Sequence, residues 1–478
     1  MVTFFVALTV LIGGYAIYGV LVEKIFGIDP ARLTPAVEHP DGVDYVPMPV
    51  WKVFMIQFLN IAGVGPIFGA IMGIMFGPSA FLWIVFGTIF AGAVHDFTAA
   101  MLSLRQGGVS LPESVGNELG SGMRHVTRVF SVILLLLVGA VFVITPSGLL
   151  ASMTPDTLDV TFWTVAVFLY YLLATMLPID KLIGKLYPVF GGALLFMALA
   201  LMGVMVFGNV HIPDGIVEGL YNRHPQADTH PLFPMLFITI ACGAISGFHA
   251  TQSPMMARCL TNEKLARPVF YGAMVAEGMV ALIWAAAAIA FTGGYSQLAE
   301  YMAQNGHSPA TIVREVSVGW LGTFGGLLAI IGVVAAPITS GDTALRSVRL
   351  IVADAFKLNQ KSIVNRLLIC IPIFAITFAL MIVDFQVLWR YFAWSNQTLA
   401  MITLWAVTVY LARNGRRYLI TLVPTMFMTV VTVSYILLAP EGLRLDYTVS
   451  ILAGCIFAII LAAIFFKTIV FGQKKNNR

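Results

Sequence analysis

Long apolar runs separated by short polar stretches fill the chain from end to end. A helix needs about 20 such residues to cross a bilayer, and windows of that length find about thirteen spans. They lie near 2–22, 51–76, 79–103, 127–150, 160–179, 185–208, 233–257, 268–292, 318–350, 364–384, 391–411, 417–438 and 447–470. The fold expected is an all-α polytopic membrane protein. The run at 2–22 lacks a basic leader and an A-x-A cleavage site, so it reads as a retained span rather than a signal peptide. Composition agrees: 59% of the 478 residues are hydrophobic and 10% charged, against roughly 25% charged in soluble domains. A net charge of +4 gives no reason to expect a nucleic-acid partner. Cys242, Cys259, Cys370 and Cys455 stand singly, without the spacing of a zinc site or disulfide framework.

Positive charge is concentrated in alternate loops, the intervening loops 209–232, 293–317 and 385–390 holding only Arg223, Arg314 and Arg390. Arg105, Arg124 and Arg128 follow the third span, Lys181 and Lys185 the fifth, and Arg258, Lys264 and Arg267 the seventh. Arg346, Arg349, Lys357, Lys361 and Arg366 follow the ninth, Arg413, Arg416 and Arg417 the eleventh, and Lys474, Lys475 and Arg478 form the tail. Positive loops stay inside. The expected topology has a cytoplasmic C-terminus, an external N-terminus and a place in the plasma (inner) membrane.

Two spans carry helix breakers at mid-depth. Asn60-Ile61-Ala62-Gly63-Val64-Gly65-Pro66 interrupts the second, and Cys242 to Pro254 the seventh. Proline removes a donor and clashes with the preceding turn, and the freed backbone groups must face protein or a wet cavity. The two breaks lie five spans apart in helices of opposite direction. That pattern predicts a five-plus-five inverted repeat of the LeuT type, with the site between the broken helices. Residues 51–208 and 209–412 form the two repeats. Residues 1–50 contribute a peripheral first helix and loop, and 413–478 two peripheral helices and the basic tail.

Polar residues gather where such a site needs them. At the first break, Asn60, Gly63 and Gly65 are candidate solute contacts. Carbonyls of Ala62 and Gly63 are candidate cation ligands, and the N–H groups around Ile67 and Phe68 suit a carboxylate. At the second, Ser246, Gly247 and His249 are candidate solute contacts. The plainer accounts are a close-packing face of Gly63, Gly65 and Gly69 at the first break and a buried histidine bonded to a neighbouring helix at the second. In the ninth span Thr339, Ser340, Asp342 and Thr343 offer hard oxygens. Asp342 serves either to carry a proton or to pair with Arg346 one turn on. Glu277 is a second proton carrier. His95 and Asp96 are adjacent on one helix and should not face each other, so they read as a helix tie or proton relay. Asn396 and Gln397 serve either to line an outer vestibule or to cap and bridge helices.

Several of these stretches, in order, resemble the carbon starvation (CstA-type) family of transporters. They are AGVGPIFG at Ala62–Gly69, AGAVHDFTAAMLSL at Ala91–Leu104, ISGFHA at Ile245–Ala250, YGAMVAEG at Tyr271–Gly278, PITSGDTALR at Pro337–Arg346 and WSNQTLA at Trp394–Ala400. The resemblance implies a LeuT-like core of the amino acid–polyamine–organocation grouping and uptake of pyruvate or small peptides coupled to a cation. It further implies Thr339, Ser340 or Thr343 facing Ala62 and Gly63 to hold Na⁺, with no other cofactor. The function expected is a cation-coupled (H⁺ or Na⁺) secondary transporter, its partners a small carboxylate or peptide, a coupling cation and the lipid bilayer. A passive channel or an intramembrane enzyme are the alternatives. No H-E-x-x-H, G-x-S-x-G or P-loop motif supports an enzyme or ATP drive.

Overall fold

The computed structural model describes residues 2–472 except 43–44, 177–178, 215, 217–218, 306–307 and 359–361, with backbone only at 176, 179–186, 324, 328 and 363. Of the basic residues above, Lys361, Lys474, Lys475 and Arg478, and the side chains of Lys181 and Lys185, lie outside that description. Among the described residues all regular structure is helical.

Helix α1 (Val2–Phe26) leads into the broken pair α2 (Val50–Ile61) and α3 (Gly65–Phe76), bent by 55°. Then come α4 (Ser79–Arg105), the short α5 (Leu111–Leu119), α6 (Ser121–Ala151), α7 (Val160–Met176) and α8 (Ile179–Phe207). The second broken pair is α9 (Leu232–Thr239) and α10 (Gly247–Ala257). After it run α11 (Glu263–Thr292), α12 (Tyr295–Gln304), α13 (Pro309–Phe356), α14 (Ile363–Leu380), α15 (Phe385–Arg413), α16 (Leu419–Leu438) and α17 (Tyr447–Val470).

Among the described residues, eight helices are long and apolar enough to cross a membrane, or nine with α2–α3 taken as one span. The other expected spans fall short of that measure for visible reasons. Helices α7 and α14 are short, the second broken pair is interrupted, and α15 carries Arg390 and Ser395–Thr398 within its length. Burial sorts the spans into core and periphery: α4 and α11 are 83% buried, whereas α1 is 28% and α17 22%. Lipid replaces solvent around these outer helices, so exposed Ile17, Ile456 and Ile459 carry no penalty there.

Contacts define two opposite ends. At one, Thr3 bonds Asp214, Arg223 N–H donates to Phe76 O, and Arg390 pairs with Glu441. At the other, the basic end, Arg105 Nη2 donates to Gly27 O, Met48 N–H to Cys259 O, and Arg413 pairs with Glu118. The first broken pair runs from the basic end outward, and the second runs back to it.

Candidate functional site

The two breaks meet. A Cβ on Gly65 would lie 2.2 Å from Cys242 Cβ, and one on Gly243 3.7 Å from Pro66 Cα. Only glycine lets the two unwound stretches approach this closely. On the first helix, Ala62 N–H donates to Phe58 O and Gly63 N–H to Ile61 O, before the helix restarts in a wide, π-helical turn over Gly65–Gly69. On the second, α9 ends at Thr239 and α10 starts after Ser246.

The second break is finished by neighbouring side chains. Trp83 Nε1 donates to Ile240 O (3.1 Å) and Thr88 Oγ1 to Gly243 O (3.1 Å). Both donors come from the π-helical stretch Trp83–Gly92, whose widened turn brings them to the break. Asn396 Oδ1 accepts from Ser246 Oγ (3.0 Å) and from Phe248 N–H (2.7 Å), so α15 supplies the cap of α10. Gly247 lies against the backbone of α15 here, where a Cβ would come 2.4 Å from Asn396 O. Of the two roles open to Asn396 and Gln397, bridging is what the geometry shows; Gln397 Nε2 donates to Phe237 O at 3.2 Å.

The first break is different. Asn60 is fully buried, and neither its Oδ1 nor its Nδ2 has a hydrogen-bond partner. Gln57, one turn before it, reaches Ser253 Oγ at 3.4 Å with Nε2 and leaves Oε1 unpaired. Buried amides without partners are costly and uncommon. The N–H groups of Ile67 and Phe68, expected to greet a carboxylate, instead donate to Val64 O at 3.2 and 2.8 Å.

Helix α13 does reach this break, in a register different from the one expected. Ser340 Oγ lies 3.1 Å from the carbonyl oxygens of both Leu59 and Asn60, not of Ala62 and Gly63. Thr339 and Thr343 turn their hydroxyls back to their own helix, to Ala335 O and Ala336 O and to Thr339 O and Ser340 O. A hydroxyl on a helix has that bond always within reach. Three converging oxygens make a poor cage for a dehydrated cation, so the expected Na⁺ ligand set does not assemble around Ala62, Gly63, Thr339 and Thr343. Asp342 sits 3.6 Å from Arg346 and 3.5 Å from Tyr187 Oη.

A row of four ionisable side chains lies beside the second break. His95 Nδ1 is 2.8 Å from Asp96 Oδ1, His249 Nδ1 is 2.8 Å from Asp96 Oδ2, and His249 Nε2 is 3.3 Å from Glu277 Oε2. All four are fully buried. The expectation that His95 and Asp96 would not face each other is overturned. The short carboxylate sits where the imidazole of the preceding residue folds onto one oxygen and leaves the other for α10. The row ties α4, α10 and α11 together.

The donor in each Nδ1–Asp96 contact depends on the imidazole tautomer. With Asp96 ionised, both imidazoles turn Nδ1–H toward it. His249 Nε2 faces Glu277 Oε2 at 3.3 Å without forming a hydrogen bond, and Nε2 and both Glu277 carboxyl oxygens are buried with no hydrogen-bond partner. Two buried carboxylate charges with no cation beside them would cost several kcal/mol, which favours keeping a proton within the row. Among the described residues no group of three or more His, Cys, Asp or Glu side chains is arranged to hold a metal.

A cavity of about 630 Å³ opens at the end opposite the basic one, lined by Met72, Arg223, His224, Thr239, Trp389 and Arg390 among others. It stops at Thr239 and Trp389, one residue short of Ile240 and the second break. The basic end is closed by a fully buried Glu263. Its carboxylate takes Arg105 Nε at 3.1 Å and Nη2 at 2.9 Å, and the N–H of Asp29 at 2.7 Å. The sequence offers no local sign of this tie, because its partners are distant in the chain. Trp83, Thr88 and Tyr187 are also unheralded; they look like ordinary span residues until packed.

Comparison with known proteins agrees with this architecture. The family model for carbon starvation protein CstA matches residues 1–160, 151–323 and 292–435. An uncharacterized membrane protein of Haemophilus influenzae is 44% identical over 339 residues, covering 61% of this chain and 91% of its own. Peptide transporter CstA of Campylobacter jejuni is 30% identical over 56% of this chain and 47% of its own. Pyruvate/proton symporter BtsT of Escherichia coli is 29% identical over 56% and 46%. The chain thus spans about half the length of these named transporters. Among solved structures, MhsT in complex with L-phenylalanine aligns with a TM-score of 0.54 at 15% identity, over 87% of this chain and 98% of its own. A manganese transporter of Eremococcus coleocola aligns at 0.51 and 12%, over 90% and 98%. The fold is LeuT-like, and the named relatives are transporters rather than enzymes. With the family model spanning most of its length and the motifs in place at both breaks, the chain belongs to the carbon starvation protein CstA family.

Proposed function

We propose that this protein is a proton-coupled secondary transporter that imports a small carboxylate such as pyruvate, or a small peptide, across the inner membrane. The observation that carries the reading is the buried row His95–Asp96–His249–Glu277, two imidazoles and two carboxyls in contact against a broken helix. Solute binds at the first break, where Asn60 has donor and acceptor to spare. His249 belongs to α10, so a change in its protonation alters the tie between a broken helix and its neighbours α4 and α11. A coupling ion must bind the solute-bound state differently from the empty one, and this placement allows that. The two repeats, 51–208 and 209–412, rock about the site. The Arg and Lys bias supports a cytoplasmic basic end and an external N-terminus.

Sodium is the second reading, favoured by Ser340 Oγ lying between two carbonyls of the first break. Proteoliposomes separate the two. An inside-alkaline proton gradient should drive pyruvate or a tripeptide above its equilibrium level without sodium. Glu277→Gln should lose that accumulation and keep solute exchange. Accumulation driven by a sodium gradient alone, and abolished by Ser340→Ala, rejects the proton assignment. Purely downhill flux rejects coupled transport altogether.

A further inference from the structure

Arg349, on α13 toward the basic end, is 6% exposed. Its Nε and Nη1 are buried and have no hydrogen-bond partner, and no acidic side chain among the described residues pairs with it. A buried guanidinium without a counter-charge costs several kcal/mol, so a position that retains one needs an anion from elsewhere. The surroundings sharpen the point. The charged groups within electrostatic reach are Arg346, Arg366 and Asp342, with Cys370 beside them. The one carboxylate of that set faces Arg346 and Tyr187. Within that set the one carboxylate near Arg349 is thus already engaged elsewhere.

The position of the cluster indicates the anion. Arg349 lies seven residues before the end of α13 at Phe356, about 10 Å along a helix. That is close to the depth at which headgroups begin. Helix α14, which carries Arg366, turns Val364, Leu368 and Ile371 outward at 65%, 64% and 63% exposure, so lipid lies directly against it. Helix α7 does the same with Leu173 at 65%. The arginines sit one layer behind a lipid-facing surface, between helices, and arginine prefers the planar, bidentate oxygens of phosphate. We infer that Arg349, Arg346 and Arg366 form a binding site for a phosphate anion, supplied by the headgroup of an acidic phospholipid. Basic pockets between spans are suited to such headgroups.

The test uses the full chain, purified and delipidated in a neutral detergent. Phosphatidylglycerol should raise its unfolding temperature, and phosphatidylcholine should not. In Arg349→Met that shift should vanish, while the lipid-free unfolding temperature stays level or rises, because an uncompensated charge has been removed. If Arg349→Met does not fold, Arg366→Gln on the half-buried position replaces it. It should weaken phosphatidylglycerol binding about fivefold, the loss expected for one basic contact near the membrane surface. A shift reproduced by inorganic phosphate, and lost with Arg349→Met, assigns the same site to free phosphate instead of lipid. Equal shifts with both lipids, an undiminished shift in Arg349→Met, unchanged affinity in Arg366→Gln, or an equal response to pyruvate would each overturn the site.

Discussion

At the break between α9 and α10 the freed groups are taken up by protein. Trp83 and Thr88 hold the carbonyls of Ile240 and Gly243, and Asn396 receives Ser246 Oγ and Phe248 N–H. At the break between α2 and α3, among the described side chains, Ser340 alone is seen to reach in, and the Asn60 amide beside it is buried with no partner. Interrupted helices at membrane depth must satisfy their backbone somewhere. One break does so with fixed side chains and serves as a rigid wall. The other leaves a polar group unmet, which is tolerable only if something else meets it during the working cycle. On the function proposed above, solute recognition falls to the first break and mechanical support, with the ionisable row, to the second.

The sharpest way to break this comparison is Asn396→Ala. It strands Phe248 N–H and Ser246 Oγ in the interior, each at about 1–3 kcal/mol. Thermal unfolding in detergent should show a large loss of stability, and solute binding should fall with it. A stable variant would mean that the second break is not held by this cap. Gly65→Ala should act where the breaks touch, costing about 1–3 kcal/mol through overpacking, because its Cβ would meet Cys242 Cβ and Sγ. Pairing it with Cys242→Gly removes both obstructing atoms and should restore part of the loss. Additive losses in the double variant would show that the contact is not what limits the position.

A smaller stability effect is expected at the first break. Asn60→Leu removes a buried amide that has no partner to strand, so unfolding should be unchanged or slightly delayed. Uptake and solute binding should nevertheless fall by about tenfold or more, as for a site polar group left unpaired against its ligand. A variant that loses stability and keeps uptake would reverse the roles assigned to the two breaks.

Much of this was legible in the sequence because it depends on local chemistry. Gly63, Gly65 and Pro66 announce one interruption, and Gly243, Gly247 and Pro254 the other. The hydroxyl-rich Pro337–Thr343 stretch marks the helix that leans on the first. Rotational register was not legible. Successive residues on a helix point about 100° apart, so deciding that Ser340 rather than Thr339 or Thr343 meets α2 needs the packing of α13 against its neighbours. The same limit hid the target carbonyls, Leu59 and Asn60 in place of Ala62 and Gly63. Side-chain conformation was equally hidden: an i,i+1 spacing argues against the His95–Asp96 contact, yet a folded-back imidazole makes it. Glu263 acts on Arg105 more than a hundred positions away, and nothing local distinguishes it from other polar residues near span ends. For Asn396 the capping role was one of two open, and only its target, the start of α10, was hidden.

The smallest effect lies at the outer end of the first broken pair. The His224 ring packs on Phe76, the last residue of α3, with centroids 4.6 Å apart, and Arg223 N–H holds Phe76 O. Burial, with His230 stacked beside it, pulls the His224 imidazole down from 6.5 to about 4. Between those two values the unfolded chain holds a proton that the folded protein does not, so stability declines as pH falls from 6.5 toward 4 and is level above that window. His224→Phe keeps a ring against Phe76 and removes the titration. Its unfolding temperature should therefore fall less than that of the wild type over this range, the remaining slope coming from His230, which burial also lowers. Because this seat holds α3 and not α10, acid should loosen the outer half of the first break while leaving the Asn396 cap untouched. Hydrogen exchange at pH 5 should then rise across Gly65–Phe76 and stay flat across Gly247–Ala257. Equal change in both would show that the two breaks respond as one unit.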